Sequence, residues 1–229
     1  IYSNTFSEIC NNQVYLKPEK KKKTGSFKIR GAYNKIANMD DGKKQNGVIA
    51  SSAGNHAQGV AYAATHYGID STIVMPREAP IAKVTATKNY GAEVVLYGDN
   101  YDEAYEKALE IQKETGQVFV HPFNDPEVIA GQGTIGLEII EELPDLEVII
   151  VPVGGGGLIS GIATAIKSYS PEVKVVGVEA AEASVMKKSL KTNKIKNIQK
   201  VSTIADGIAV KKPGDVTFDL CKKYVDEVV

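Results

Sequence analysis

One lysine in this chain has a setting that suits covalent chemistry with a carbonyl compound. Lys28 follows a short turn and opens a stretch with helical spacing, between the apolar residues Phe27 and Ile29. The positive end of a helix disfavours an ammonium group, so a lysine held there has a lowered pKa and can act as a nucleophilic amine. An exposed, solvated lysine is the alternative that spacing alone leaves open.

A turn at residues 51–57 could bind a carboxylate. It follows the apolar run 48–50 and opens a helical pattern, and it combines small residues with Ser52 and Asn55. Such a turn presents backbone N–H groups to an anion. The alternative is a helix N-cap, in which Asn55 or Ser52 satisfies the free amides of the helix without any ligand.

Four consecutive glycines, Gly154–Gly157, lie between the apolar run 147–153 and a helical pattern that starts near Leu158. Without side chains, the backbone can wrap a phosphate whose charge faces the helix N-terminus. Four glycines in a row are costly in conformational entropy, so an ordinary turn would seldom need them. We therefore expect an anion site here.

Two other groups of residues carry weaker signals. Residues 131–136 have the glycine spacing of a dinucleotide fingerprint, but Pro126 marks a helix start where that fingerprint needs a strand. Close helix packing is the better interpretation of this segment. His66 and His121 have no partner at the spacing of a metal site or a catalytic triad, and we expect each to be structural.

The composition is that of an ordinary globular protein. The 229 residues are 43% hydrophobic and 24% charged, and a net charge of -1 gives no reason to expect nucleic acid as a partner. The run Lys20–Lys23 is typical of a solvated loop. Cys10 and Cys221 lie far apart without metal-ligand spacing, which favours a reducing cytoplasm. We find neither a signal-peptide pattern nor about 18 consecutive apolar residues, so we expect no membrane partner.

Apolar, β-branched runs alternate with helical spacing through most of the sequence. This alternation predicts an α/β fold with right-handed crossovers and mainly parallel sheets. The predicted strands are 48–50, 72–75, 93–97, 118–120, 147–153 and 174–178. The predicted helices are 26–39, 56–67, 80–90, 101–114, 129–142 and 158–168. Three of these helices are expected to end in the left-handed conformation, at Gly68, Gly91 and Gly116.

Four motifs occur in an order that resembles the fold-type II pyridoxal-phosphate enzymes and, among them, the threonine/serine dehydratase family. The motifs are Ser26–Ala32, Ser52–Gly59, Gly131–Thr134 and Gly154–Leu158, and the likeness extends through 178–180, 205–207 and 212–215 over essentially the whole chain. The resemblance implies two doubly wound, mainly parallel sheets, as in tryptophan synthase β, with the cofactor in a cleft between two domains. The smaller domain, 47–123, would be inserted into a larger cofactor-binding domain made of 1–46 and 124–229.

Carried over residue by residue, the resemblance implies a set of site residues. Lys28 would be the Schiff-base lysine and the catalytic base, and Phe27 would form a wall of the cofactor site. Asn55 would bond to the phenolic oxygen of the cofactor, and the backbone of Gly207 would pass close to its ring. The cofactor phosphate would be held by Gly154, Gly155, Gly156, Gly157 and Leu158. The substrate carboxylate would be held by Ser52, Ala53, Gly54, Asn55 and His56.

The activity that the resemblance implies is the dehydration and deamination of L-threonine or L-serine, giving 2-oxobutanoate or pyruvate and ammonia. Pyridoxal 5'-phosphate serves as the electron sink in such chemistry, while the protein fixes the geometry. The resemblance also implies a role in amino-acid metabolism such as isoleucine biosynthesis, a small amino-acid substrate and a cytoplasmic homo-oligomer.

Serine racemisation is a sister activity, and it needs a second acid or base on the opposite face of the substrate. Racemases that resemble this chain have a serine two residues before the asparagine of the turn, where this sequence has Ala53. Elimination is therefore favoured over racemisation. A racemase-like metal site is incomplete, because Glu179 matches one carboxylate ligand while Val185 occupies the second acidic position. We expect no metal.

Members of the family usually have a further segment upstream and many more residues downstream, including a small hydroxyl residue that faces the pyridine nitrogen. The chain therefore resembles a core truncated at both ends. A core that binds pyridoxal phosphate without turnover is the alternative to an active dehydratase. A racemase or a β-replacement enzyme is a third interpretation.

Overall fold

The computed structural model describes all residues from 1 to 229, and helices alternate with strands through most of the chain. The helices are α1 (Asn4–Cys10), α2 (Lys28–Ala37), α3 (Asp41–Lys44), α4 (Asn55–His66), α5 (Ile81–Asn89), α6 (Tyr101–Thr115), α7 (Pro126–Glu142), α8 (Gly157–Tyr169), α9 (Val185–Thr192) and α10 (Asp215–Tyr224). The strands are β1 (Val48–Ser51), β2 (Ser71–Met75), β3 (Glu93–Leu96), β4 (Val118–Phe119), β5 (Val148–Pro152), β6 (Lys174–Val178) and β7 (Glu227–Val228). None of the ten helices is both long enough and apolar enough to cross a membrane.

All six predicted strands and all six predicted helices are present, with their ends displaced by three residues or fewer. The three glycines expected to end helices have positive φ angles of 65°, 92° and 71°, at Gly68, Gly91 and Gly116. The sequence analysis missed α1, α3, α9, α10 and β7.

The strands form two sheets in which every neighbouring pair is parallel. The first sheet has the order β3-β2-β1-β4, and the second has the order β5-β6-β7. Every residue of β1 and β2 is buried, as expected for parallel strands covered on both faces. The predicted α/β fold with two mainly parallel sheets is therefore confirmed. The division into domains at residues 47 and 123 stays a prediction.

Lys28 lies where two hydrophobic cores meet. Ala32 and Ile36 of α2 are buried in the core that surrounds the first sheet and α4. Phe27, immediately before α2, packs against the other core, which is formed by α7, α8, α10 and the second sheet. The backbone around Lys28 is consequently fixed from both sides, since its neighbours in the chain belong to different cores.

The glycines of α7 and α8 allow their backbones to touch. A Cβ on Gly133 would lie 3.0 Å from the carbonyl oxygen of Gly161, and a Cβ on Gly161 would lie 2.6 Å from the nitrogen of Gly133 and would collide with the carbonyl oxygen of Ile129. The fingerprint-like segment 131–136 lies inside α7, away from any turn after a strand. The interpretation as close helix packing is therefore confirmed.

Replacing Gly161 should test this packing directly. We expect Gly161→Ala to lower the free energy of unfolding by about 2 kcal/mol or more, because the added methyl group forces α7 and α8 apart. Gly42→Ala is the matched control, since a Cβ at Gly42 of α3 meets no atom within 4 Å. The control should be neutral or stabilising by up to about 1 kcal/mol. Denaturant unfolding measures both, and equal stability of the two variants would contradict the packing argument.

Candidate active site

Lys28 is the first residue of α2, and its amine donates a hydrogen bond of 2.7 Å to the carbonyl oxygen of Pro122. The side chain is partly buried, so the interpretation as an exposed, solvated lysine is wrong. Burial lowers the pKa of the Lys28 amine from 10.5 to about 8. A much larger fraction of this amine is therefore neutral near pH 7 than in a lysine surrounded by water.

The backbone of Lys28 is packed closely against α4. A Cβ on Gly59 of α4 would lie 3.2 Å from the carbonyl carbon and oxygen of Lys28. The Phe27 ring lies on the other side, with its centroid 5.4 Å from the Lys28 amine. Phe27 is thus placed where it can form a wall beside the amine, although its role toward the cofactor stays a prediction.

The glycine loop before α8 has free backbone donors. The backbone N–H groups of Gly154 through Leu158 donate to no acceptor within the chain. Gly156 has a φ of 94°, a conformation that favours glycine, and it directly precedes α8. The carbonyl oxygen of Gly155 accepts a hydrogen bond of 2.6 Å from the Thr217 hydroxyl, which fixes the loop. Free amides at a helix N-terminus fit the phosphate of pyridoxal phosphate.

The glycine loop and the Lys28 amine contact adjacent residues of the chain. A Cβ on Gly155 would lie 2.5 Å from the Phe123 ring, and a Cβ on Gly157 would lie 2.8 Å from the Phe123 Cα. The carbonyl oxygen that accepts the Lys28 hydrogen bond belongs to Pro122, one residue earlier. The Lys28 amine and the glycine loop therefore lie against adjacent residues, which is the arrangement expected if one pyridoxal phosphate molecule contacts both.

The turn before α4 also has free backbone donors. Neither Asn55 nor Ser52 caps the helix, because the N-cap residue is Gly54 and the Ser52 hydroxyl accepts from the Gly54 amide at 3.1 Å. The interpretation as a side-chain N-cap is therefore wrong. The N–H groups of Asn55, His56 and Ala57 donate to no acceptor within the chain, and the Asn55 side chain is exposed. The turn can bind a carboxylate, which stays a prediction.

The remaining predicted site residues lie around the glycine loop and the turn. Gly207 is exposed, and a Cβ there would meet nothing within 4 Å, while its neighbour Ile208 packs with its Cα 3.0 Å from a Cβ on Gly154. Leu158 packs its side chain against the second core, so only its backbone could reach a phosphate. Ala53 packs its methyl group against the first core.

Two histidines near Lys28 are uncharged at neutral pH. The His56 Nε2 donates to the carbonyl oxygen of Val120 at 2.8 Å, and the His121 Nδ1 accepts from the Asn124 amide at 2.8 Å. Burial, with a smaller contribution from the Lys28 charge, lowers the pKa of His56 to about 3 and that of His121 to about 4. His121 thus supports the chain around Pro122, in agreement with its expected structural role.

The sequence analysis missed the segment after β4. Nothing in the spacing singles out Pro122 or Phe123, although loops at the carboxyl ends of parallel strands commonly carry binding residues. His66 lies outside the site, where it contacts the rings of Tyr33 and Tyr67. Glu179 accepts two backbone hydrogen bonds of 2.8 Å in the first turn of α9, so its carboxylate serves as a helix cap.

The fold and this site define a pyridoxal-phosphate-dependent enzyme. The family model described as "Pyridoxal-phosphate dependent enzyme" matches residues 1–229, and the chain belongs to that family. The predicted enzyme class and cofactor are thereby confirmed at the level of the family.

Individual relatives agree with the narrower resemblance. L-threonine ammonia-lyase of Thermotoga maritima is 62% identical over 228 residues, which are 100% of this chain and 57% of that protein. The processed form of threonine deaminase isoform 2 from Solanum lycopersicum has a TM-score of 0.96 at 43% identity, covering 99% of this chain and 66% of that one. Maize serine racemase has a TM-score of 0.97 at 38% identity, covering 100% of this chain and 69% of that one. The chain thus spans little more than half the length of its Thermotoga relative, and the fold is shared by lyases and racemases.

The lowered pKa of Lys28 predicts the pH dependence of its reaction with an aldehyde. Only the neutral amine reacts, so the rate constant for covalent attachment of pyridoxal phosphate should rise with pH and reach half its maximum near pH 8. Stopped-flow absorbance at the violet edge of the visible spectrum measures the rate. A midpoint near the ordinary lysine pKa of 10.5 would contradict the burial of this amine.

The free amides of the glycine loop predict selectivity for the phosphate. Pyridoxal, which lacks the phosphate, should bind roughly 100-fold more weakly than pyridoxal phosphate, because several charge-assisted hydrogen bonds are lost. Equilibrium titration of the two compounds measures the difference. Equal affinities would mean that the glycine loop does not hold the phosphate.

Proposed function

We propose that this chain forms the catalytic core of a pyridoxal-phosphate-dependent ammonia-lyase that converts L-threonine to 2-oxobutanoate and ammonia. L-Serine would be the second substrate and would give pyruvate. The observation that carries the proposal is the position of the Lys28 amine and the glycine loop against the same segment, Pro122–Phe123. The named activities of the Thermotoga and Solanum relatives support the choice of threonine.

In this mechanism the chain's residues hold the reactants and move one proton. Pyridoxal phosphate, when bound, supplies the electron sink that makes the α-proton of an amino acid acidic. The amides of Gly154–Leu158 would hold its phosphate, and Lys28 would be the amine to which it is attached. The amides of residues 55–57 orient the substrate carboxylate, so that the α-proton faces Lys28.

The amino group of the substrate would displace Lys28, and the freed, neutral Lys28 amine would then take the α-proton at its Nζ atom. Its lowered pKa matches this role, because a base works best when its pKa lies near the operating pH. The substrate loses its β-hydroxyl group as water, and hydrolysis releases ammonia and the keto acid. Ala53 offers no proton from the opposite face, which favours elimination over racemisation.

A cytoplasmic location, homo-oligomers and a role in isoleucine biosynthesis are further proposals by resemblance.

Replacing Lys28 tests the proposal. Lys28→Ala should abolish the violet absorption band that the protein develops with pyridoxal phosphate, because the Lys28 amine lies at Pro122, next to the residue that contacts the glycine loop. Lys35→Gln is the control on the same helix and should keep the band. A band of equal strength in Lys28→Ala would show that the cofactor is attached elsewhere.

Product analysis separates the proposed lyase from its alternatives. Formation of 2-oxobutanoate from L-threonine, lost in Lys28→Ala, supports the lyase. A violet band without keto acid from either amino acid would support a core that binds the cofactor without turnover. Appearance of D-serine from L-serine on a chiral column would favour a racemase.

A further inference from the structure

Arg30 uses every donor of its guanidinium group. Its Nε and Nη2 atoms donate to the two carboxylate oxygens of Glu19 at 2.8 and 3.0 Å, and its Nη1 and Nη2 atoms donate to those of Glu138 at 2.6 and 2.8 Å. The fifth N–H, on Nη1, donates to the Thr134 hydroxyl at 2.9 Å. An arginine has five N–H donors, so none is left over. The planar guanidinium fixes both carboxylates in direction as well as distance.

This network is largely shielded from water. The side chains of Arg30 and Glu19 are 11% and 14% exposed, and Glu138, which is 38% exposed, also pairs with Lys17 at 3.1 Å. The hydrogen bonds from Arg30, with a smaller contribution from Lys17, lower the pKa of the Glu138 carboxyl to about 2. The Glu138 carboxyl therefore stays ionised at neutral and alkaline pH.

The network joins three parts of the chain around the first turn of α2. Glu19 lies in the 3-10 turn Glu19–Lys21, and Thr134 and Glu138 lie on α7. Arg30 follows Lys28 by two residues, and two residues of an α-helix correspond to a rotation of about 200°. The two side chains therefore leave α2 on nearly opposite sides. Arg30 anchors the helix on the side away from the amine.

From this geometry we propose that Arg30 is a positioning residue, which holds the first turn of α2 so that the Lys28 amine is kept at Pro122 and the glycine loop. The proposal rests on the proposed role of Lys28. Five fixed hydrogen bonds leave the turn little freedom to rotate, and a small rotation would swing the amine away from the cofactor. Displacements of about 1 Å can cost up to roughly 100-fold in rate.

Two variants loosen the network without removing a buried partner entirely. Arg30→Lys keeps the positive charge but loses the fork geometry, and Glu138→Gln keeps the shape but removes a charge. Lys35→Gln is the matched control, because Lys35 also ties α2 to α7 through a 2.9 Å ion pair with Asp125, two turns away from Lys28. Circular dichroism checks that each variant is folded. Glu138→Gln is the milder change, because Glu138 is partly exposed. If Arg30→Lys does not fold, Glu138→Gln by itself still tests the proposal.

The first readout needs no cofactor. Trace acetylation of the cofactor-free protein, followed by peptide mass spectrometry across a pH series, gives the titration midpoint of each lysine. The titratable groups that face Lys28 are His56 from α4 and His121 from the segment after β4, and both stay neutral in this range. Arg30→Lys and Glu138→Gln should raise the Lys28 midpoint by about one unit from about 8, because a turned side chain gains water. Lys35→Gln should leave it unchanged.

If only the change in charge mattered, the titration midpoint of Lys28 would not rise in both variants. Arg30→Lys does not change the net charge, and Glu138→Gln removes a negative charge, which would lower the midpoint of a nearby ammonium group. An upward shift in both variants therefore reports a change in position and solvation. Unchanged midpoints in the folded variants, or an equal shift in Lys35→Gln, would overturn the proposed role of Arg30.

The second readout tests the link to the cofactor. Arg30→Lys and Glu138→Gln should slow the growth of the violet band by about 10- to 100-fold, and Lys35→Gln should not. Shifted midpoints with an unchanged attachment rate would overturn the positioning role. A wild-type chain that shows no band while its Lys28 midpoint still responds to Arg30 would instead refute the proposed function and support the anchoring of the turn.

Discussion

The candidate active site depends on the way in which the segment Pro122–Phe123 is enclosed. The Pro122 carbonyl oxygen accepts the hydrogen bond from Lys28. The Phe123 ring occupies the space that a side chain would need at Gly155, and the Phe123 Cα and Cβ occupy that space at Gly157. If the Lys28 amine and the glycine loop were held by separate elements, the distance between them could vary. Here the amine contacts Pro122 and the glycine loop contacts the next residue, Phe123. The absence of side chains at Gly155 and Gly157 is thus required by the protein's own packing.

The two cores give this arrangement its rigidity. Helix α2 is embedded in the core around the first sheet, whereas Phe27 and the glycine loop belong with the second. Close packing makes such cores resistant to small deformations, so their relative placement is transmitted to the residues at their junction. The pKa of Lys28 is a product of the same enclosure, since burial alone lowers it and no charged partner contributes. The fixed position of the Lys28 amine and its lowered pKa therefore have the same cause, which is burial between the two cores.

Most regular elements, and the chemically active motifs, could be predicted from the sequence because their signals are local. Buried strands such as β1 are continuous apolar runs, and the glycine loop is recognisable because it contains four consecutive glycines. Strand β7 has only two residues, too few to show a period, and it exists because β6 offers a free edge. The hydrogen-bond network of Arg30 could not be predicted, because Glu19 and Glu138 lie 11 and 108 residues away from it and nothing in the sequence distinguishes them from other glutamates. The same holds for Pro122, which is 94 residues from Lys28.

The glycine loop has a physical consequence for how tightly an anion is retained in different solutions. Its immediate neighbours are Phe123, Met186, Thr217, Ile208 and Val210, none of which bears a charge. An anion held there would interact with peptide N–H groups at short range, and dissolved ions screen such partly buried contacts less than they screen pairs of separated surface charges. The affinity of such an anion would therefore depend less on ionic strength than the affinity of an anion held by exposed charged side chains.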